Sequence, residues 1–132
     1  MNKGYLAKII AKDSQGLQLI SAFCSEAKVK VDEIKFLKKN KIFLLSLERF
    51  NREKNKSNEK VNSICKFEFV DSVKSKNINQ SDTSLVLELI TIDLLKNEQN
   101  YEINLIFSKN AYITLSTEIV EATLEDQNQD IK

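Results

Sequence analysis

Apolar and polar residues alternate along this chain with two different periods, and each change of period marks an element. Residues 5–11 set Tyr5, Leu6, Ala7, Ile9, Ile10 and Ala11 between charges, the pattern of a short strand. Asp13 or Ser14 then offers a side-chain oxygen to the open amides of a first helical turn. Leu17, Ile20, Phe23, Cys24 and Ala27 recur at the spacing of one helical face. This predicts a helix over about 14–26, with a narrow apolar stripe to lay on a sheet.

Beyond Ala27 the period falls to two. Val29 and Val31 alternate with lysines, and Ile34 and Phe36 resume after a one-residue slip that predicts a bulge or bend. Residues 38–41 suit a turn centred on Asn40, which tolerates a left-handed backbone. Residues 42–47 are apolar at nearly every position, so this strand is expected to be buried on both faces at the sheet centre. Residues 51–60 hold no apolar side chain and predict a solvated loop. Cys65, Phe67 and Phe69 alternate again, followed by Val70, Val73 and Ile78, with a bulge expected near Val70. A second polar loop follows at 79–84.

In 85–95, strict alternation puts Leu85, Leu87, Leu89 and Thr91 on one face and Val86, Ile90 and Ile92 on the other. After a turn at 97–100, Tyr101, Ile103, Leu105 and Phe107 run to a tight Lys109–Asn110 turn. The strand 112–117 returns with Ile113 and Leu115 inward, the clearest hairpin in the chain. Residues 118–126 fit either a strand or a short helix pairing Val120 with Leu124, and 127–132 are expected to fray. The sum is an α+β protein in one domain, 1–126. One N-terminal helix packs on a mostly antiparallel meander of about six to seven strands, with a partly closed, pleckstrin-homology-like barrel as the leading picture.

Composition removes chemistry rather than adding it. The 132 residues suffice for one domain with a real core, and 42% hydrophobic with 30% charged residues is ordinary for a globular chain. With no histidine, Ser-His and Cys-His pairs and histidine-ligated metals are excluded. With glycine only at positions 4 and 16, no glycine-rich phosphate loop can be written. Cys24 and Cys65 are too far apart for a C-x-x-C pair, and their apolar flanks mark them as core thiols. No metal or cofactor is predicted. The N-terminal apolar stretch is short and broken by Lys8 and Lys12, so a cytoplasmic protein without a membrane segment is expected.

Charge is lopsided: residues 1–76 contain 17 Lys or Arg and 9 Asp or Glu, whereas 77–132 contain 3 and 10. The lysines interleave with apolar residues as the wet side of strands would, so the expectation is two halves that lie together and neutralise each other, with a basic binding face as the alternative. Arg49 extends the apolar face of Phe43, Leu45 and Leu47, and must reach an edge or meet an acid from the acidic half. Lys74 and Lys76, flanking Ser75, suit an anion. Glu121 and Asp126, in the acidic run with Glu118 and Glu125, are the remaining acid/base candidates. The candidate ligand- or anion-binding set is therefore Arg49, Lys74, Lys76, Glu121 and Asp126.

Several segments taken in order carry a resemblance: Asp13 with Leu17, Ile20 and Ser21; Val29, Lys30 and Val31 with Ile34; Leu47-Glu48-Arg49-Phe50; Lys66-Phe67 with Val70, Val73 and Ile78; and Glu121-Ala122 with Leu124-Glu125-Asp126. Together they resemble the bacterial family called domain of unknown function 2948, over nearly the whole chain. The chain departs from that family's pattern at Asn51 and Arg52, where the family has an acidic and then an aromatic residue, and at Asn77, where it has glycine. The resemblance implies a small cytoplasmic protein of alphaproteobacterial type and carries no activity with it. The residues favour a non-catalytic binding or adaptor domain that uses a sheet edge or the basic half to hold a protein partner, a second copy of itself, or a small anionic ligand. The alternatives are a small enzyme using carboxylate and lysine, or a weak anion or nucleic-acid binder. Nucleic acid is disfavoured because Phe36, Phe43 and Phe67 are expected to face inward.

Overall fold

The computed structural model describes residues 7–50 and 60–127. It contains β1 (Lys8–Ala11), α1 (Ser14–Phe23), β2 (Lys28–Lys30), β3 (Ile34–Leu37), β4 (Ile42–Phe50), β5 (Lys60–Phe67), β6 (Val70–Lys76), β7 (Val86–Lys96), β8 (Tyr101–Phe107), β9 (Tyr112–Thr117) and β10 (Ala122–Asp126). The α+β class stands, with antiparallel pairing between neighbouring strands. Among the described residues the strands number ten rather than six or seven, and the sheet does not close. Its order is β1-β10-β5-β4-β2-β7-β8-β9-β6, with β3 attached to β4 beside β2. The expected loop over 51–60 lies outside the described residues apart from Lys60, and so do 128–132 and the start of the first strand.

Local backbone geometry explains the extra strands. The slip after Val31 is a 3-10 turn, Val31–Glu33, which divides one expected strand into β2 and β3. Phe69 adopts φ 62, a left-handed conformation, and divides another into β5 and β6. The ambiguous C-terminal segment is a strand, β10, and not a helix. The turn before β4 is a 3-10 turn, Lys38–Asn40, and its left-handed residue is Lys41 at φ 58, not Asn40. Asn77 has φ 63, a left-handed conformation that glycine adopts freely and asparagine tolerates.

Side-chain alternation holds with two corrections. β4 is central, between β5 and the β2–β3 pair, but it buries one face and half-buries the other rather than burying both. In β7 the register with β8 shifts between Leu89 and Thr91, so the extra residue Ile90 is exposed and Ile92 joins Leu87 and Leu89 inside, instead of facing away from them. The 101–117 hairpin is as expected, with Lys109 and Asn110 both left-handed at its tip. The basic and acidic halves do share strand ladders, β5 with β10 and β2 with β7. One of the ion pairs joining them is Lys28–Glu88 at 3.2 Å.

The helix stops at Phe23, three residues before the expected end. Glu26 turns left-handed at φ 70 and gives its amide to Leu89 O, which returns the chain to the sheet. Asp13 is the cap, accepting the Gly16 amide at 2.8 Å. α1 buries Leu17 and Ile20 and packs against both β1 and β7, strands far apart in the sheet order, so it spans one opening of the curled sheet. That approach is close: a Cβ on Gly16 would stand 2.8 Å from the Ala11 Cα and Cβ. Gly16→Ala is therefore expected to destabilise by about 1–3 kcal/mol, against the roughly 1 kcal/mol that alanine gains as a helix former. Urea unfolding of the two proteins measures the balance, and equal midpoints would mean that the helix moves off the strand without strain.

Candidate functional site

β4 buries Phe43, Leu45, Leu47 and Arg49 on one face, and β10 buries Ala122, Leu124 and Asp126. Strand alternation thus aims Arg49 and Asp126 into the same interior. Arg49 Nε and Nη2 donate to the two carboxylate oxygens of Asp126 at 3.1 and 2.8 Å, a bidentate pair with both side chains 1% exposed. Ser63 Oγ on β5 donates to Asp126 at 2.6 Å, and the Ala7 amide donates at 2.7 Å. Arg49 also donates to Ser63 Oγ and to the Phe50 carbonyl, and its guanidinium lies 5.2 Å from the centre of the Phe23 ring. Two of the five candidates therefore come together, and the acid from the C-terminal half that the buried arginine required is Asp126. The pair ties β4, β5, β10, the residue before β1 and the end of α1 at one point.

The other candidates are placed elsewhere. Lys74 and Lys76 are exposed on β6, with Lys76 Nζ 6.0 Å from the Tyr112 ring. Glu121 is half-buried ahead of β10, and Glu118 and Glu125 are exposed. Since residues 121, 123 and 125 alternate with 122, 124 and 126, Glu121 and Asp126 look to opposite sides of the sheet. Among the described residues no group of three acids or cysteines converges to hold a metal ion. Cys24 and Cys65 are buried, and burial pushes the Cys65 thiol well above the ordinary range, with Cys24 nearby adding to the shift. That thiol stays protonated and inert at neutral pH.

A concave site lies where strand pairing stops. Among the described residues β3 pairs only with β4, and β6 only with β9, so each leaves one edge without a described strand partner. Between these edges opens a cleft of about 470 Å³. Ile34 and Phe36 form one wall, Val73, Ser75 and Ile78 the other, and Phe43 and Ile113 the floor. The cleft is shut at one end by the Val70 amide donating to Lys41 O at 2.8 Å, and by a Lys41–Asp71 ion pair at 3.0 Å. Asp71 raises the Lys41 pKa, first by its hydrogen bond and then by its charge, so the lysine keeps its proton at neutral pH and its part of the contact is lost as pH rises through the raised value. At the other end stand Asp32 and Gln80, whose amide donates to Ser75 Oγ at 3.0 Å.

The sequence concealed this site because its lining residues carry the same alternation as a closed core. Ile34, Phe36, Val73 and Ile78 are half-buried. Only the pairing partners of β3 and β6 reveal that nothing in the described chain covers them. A broader hollow of about 670 Å³ over the outer face of β4 and β5 offers less. Its lining mixes Lys28 and Lys30 with Glu33 and Glu48, and Lys28 is already paired to Glu88. Among the described residues no helix is long and apolar enough to cross a membrane.

The family model described as a protein of unknown function, DUF2948, matches residues 7–132, nearly the whole chain. No curated protein and no solved structure matches.

Proposed function

The chain belongs to the DUF2948 family of proteins of unknown function, and we propose that it is a non-catalytic binding domain whose cleft between β3 and β6 takes an extended segment of a partner. The observation that supports this is the coincidence of an apolar-floored cleft with two strand edges. An extended chain gains main-chain hydrogen bonds from such an edge and buries alternate side chains in the hollow beside it. The cleft is large enough for several side chains, and its walls are half-buried apolar residues whose further burial stabilises a complex by roughly 25 cal/mol per Å². A catalytic reading has no comparable support, because the only buried carboxylate among the described residues, Asp126, is bound to Arg49.

The test is a capped seven-residue peptide alternating Val and Thr, titrated into the isotope-labelled protein by NMR. Amide shifts are expected to concentrate in 34–37 and 70–76. Ser75→Trp, at an exposed position on the cleft wall, is expected to fill the site and weaken binding at least tenfold while leaving the fold intact. Shifts scattered over the surface, or none at all, would remove the reading.

A further inference from the structure

The charges around the cleft restrict what enters it. Ser75 and Val73 of β6 register with Ile113 and Leu115 of β9, which face the core, so the intervening Lys74 and Lys76 stand on the outer face. By the same alternation, Ile34 and Phe36 of β3 face the cleft and Lys35 faces out. Lys38 and Lys39 continue this rim in the turn after β3. Among the described residues, none of these five lysines has a carboxylate partner, whereas Lys28, Lys41, Lys60 and Lys66 all do. The mouth therefore carries concentrated, uncompensated positive charge on both banks. Asp32 opposes it at the end beside Gln80, and Asp71 at the other end is paired with Lys41.

We infer that the segment held in this cleft carries acidic side chains at alternate positions, with apolar residues between them. This rests on the cleft reading above and adds the chemistry of the occupant. In an extended chain, successive side chains point to opposite faces. A segment lying along β6 with its apolar set against Phe36, Val73 and Ile113 must turn its other set outward, between Lys35 on one bank and Lys74 and Lys76 on the other. Carboxylates there meet the lysines at the protein surface, and the position beside Asp32 takes an uncharged residue.

The experiment compares three capped heptapeptides, Val alternating with Glu, with Thr and with Lys, binding to the full chain at low salt. The Glu peptide is expected to bind about tenfold more tightly than the Thr peptide, the combined effect of two or three exposed ion pairs, and the Lys peptide more weakly than either. The Glu preference is expected to shrink in 0.5 M salt. In a Lys35→Glu, Lys74→Glu double variant the order is expected to reverse; both positions are exposed, and circular dichroism checks the fold. If all three peptides shift the amides of β3 and β6 with equal affinity, the charge inference fails and the cleft reading stands. If none does, both fail. Binding of anionic phospholipid vesicles or polyuridylate through the same lysines, without any peptide binding, would overturn the inference in favour of a polyanion surface.

Discussion

Asp126→Ala is expected to destabilise this protein by about 3–5 kcal/mol, the cost of breaking a buried ion pair. Arg49 would lose its bidentate partner, Ser63 its 2.6 Å acceptor and the Ala7 amide its 2.7 Å acceptor, all in a region where both members of the ion pair are 1% exposed. The Phe50 carbonyl, the Ser63 hydroxyl and the Phe23 ring, which also meet the guanidinium, are neutral and do not replace the carboxylate. Replacing both partners, as in Arg49→Met with Asp126→Leu, is expected to recover part of the loss, because burying an ion pair requires desolvation that an apolar pair does not, while Ser63 and the Ala7 amide still lack their acceptor. Urea unfolding of the single and double variants reads this directly. A single-variant loss below about 1 kcal/mol would place the pair in the class of exposed ion pairs and contradict the burial described above.

Phe67→Ala is expected to cost about 3–5 kcal/mol, and Phe69→Ala, two residues on, only about 0.5 kcal/mol, as for a surface change. Phe67 is fully buried, pairs with Phe43 on one side and Ala122 on the other, and places its ring 6.2 Å from that of Phe43 at 51°. Its removal empties the point where three strands meet beneath the core. Phe69 sits at the left-handed corner between β5 and β6 and is 40% exposed. Simple alternation in the sequence puts the two aromatic residues on one face with Cys65, so equal losses would support unbroken alternation and contradict the corner. Thermal or urea denaturation of the two variants side by side separates these outcomes.

Much of this molecule can be read from residue order because much of it is governed by short-range rules. The helix start at Asp13, the stripe of Leu17 and Ile20, and the hairpin from Tyr101 to Thr117 depend on capping, on side-chain periodicity and on a turn that Lys109 and Asn110 can form. Arg49 was legible for a related reason: an arginine continuing an apolar strand face must find an acid or an edge. What escaped were the interruptions. Glu26, Lys41 and Phe69 adopt left-handed conformations that their residue types disfavour locally, and they do so because sheet contacts farther along the chain hold them there. The Ile90 bulge likewise exists only through its register with β8.

The sequence by itself determined the class of this protein, its one helix, most of its core and the need of Arg49 for a partner, since each follows from hydrophobic spacing or from the cost of burying a charge. Tertiary structure alone decided that the partner is Asp126, that the sheet stays open, and that the edges of β3 and β6 frame a cleft beneath lysines. Those outcomes depend on which strands pair across the fold, and hydrogen-bonding partners distant in the chain leave no periodic mark on either strand.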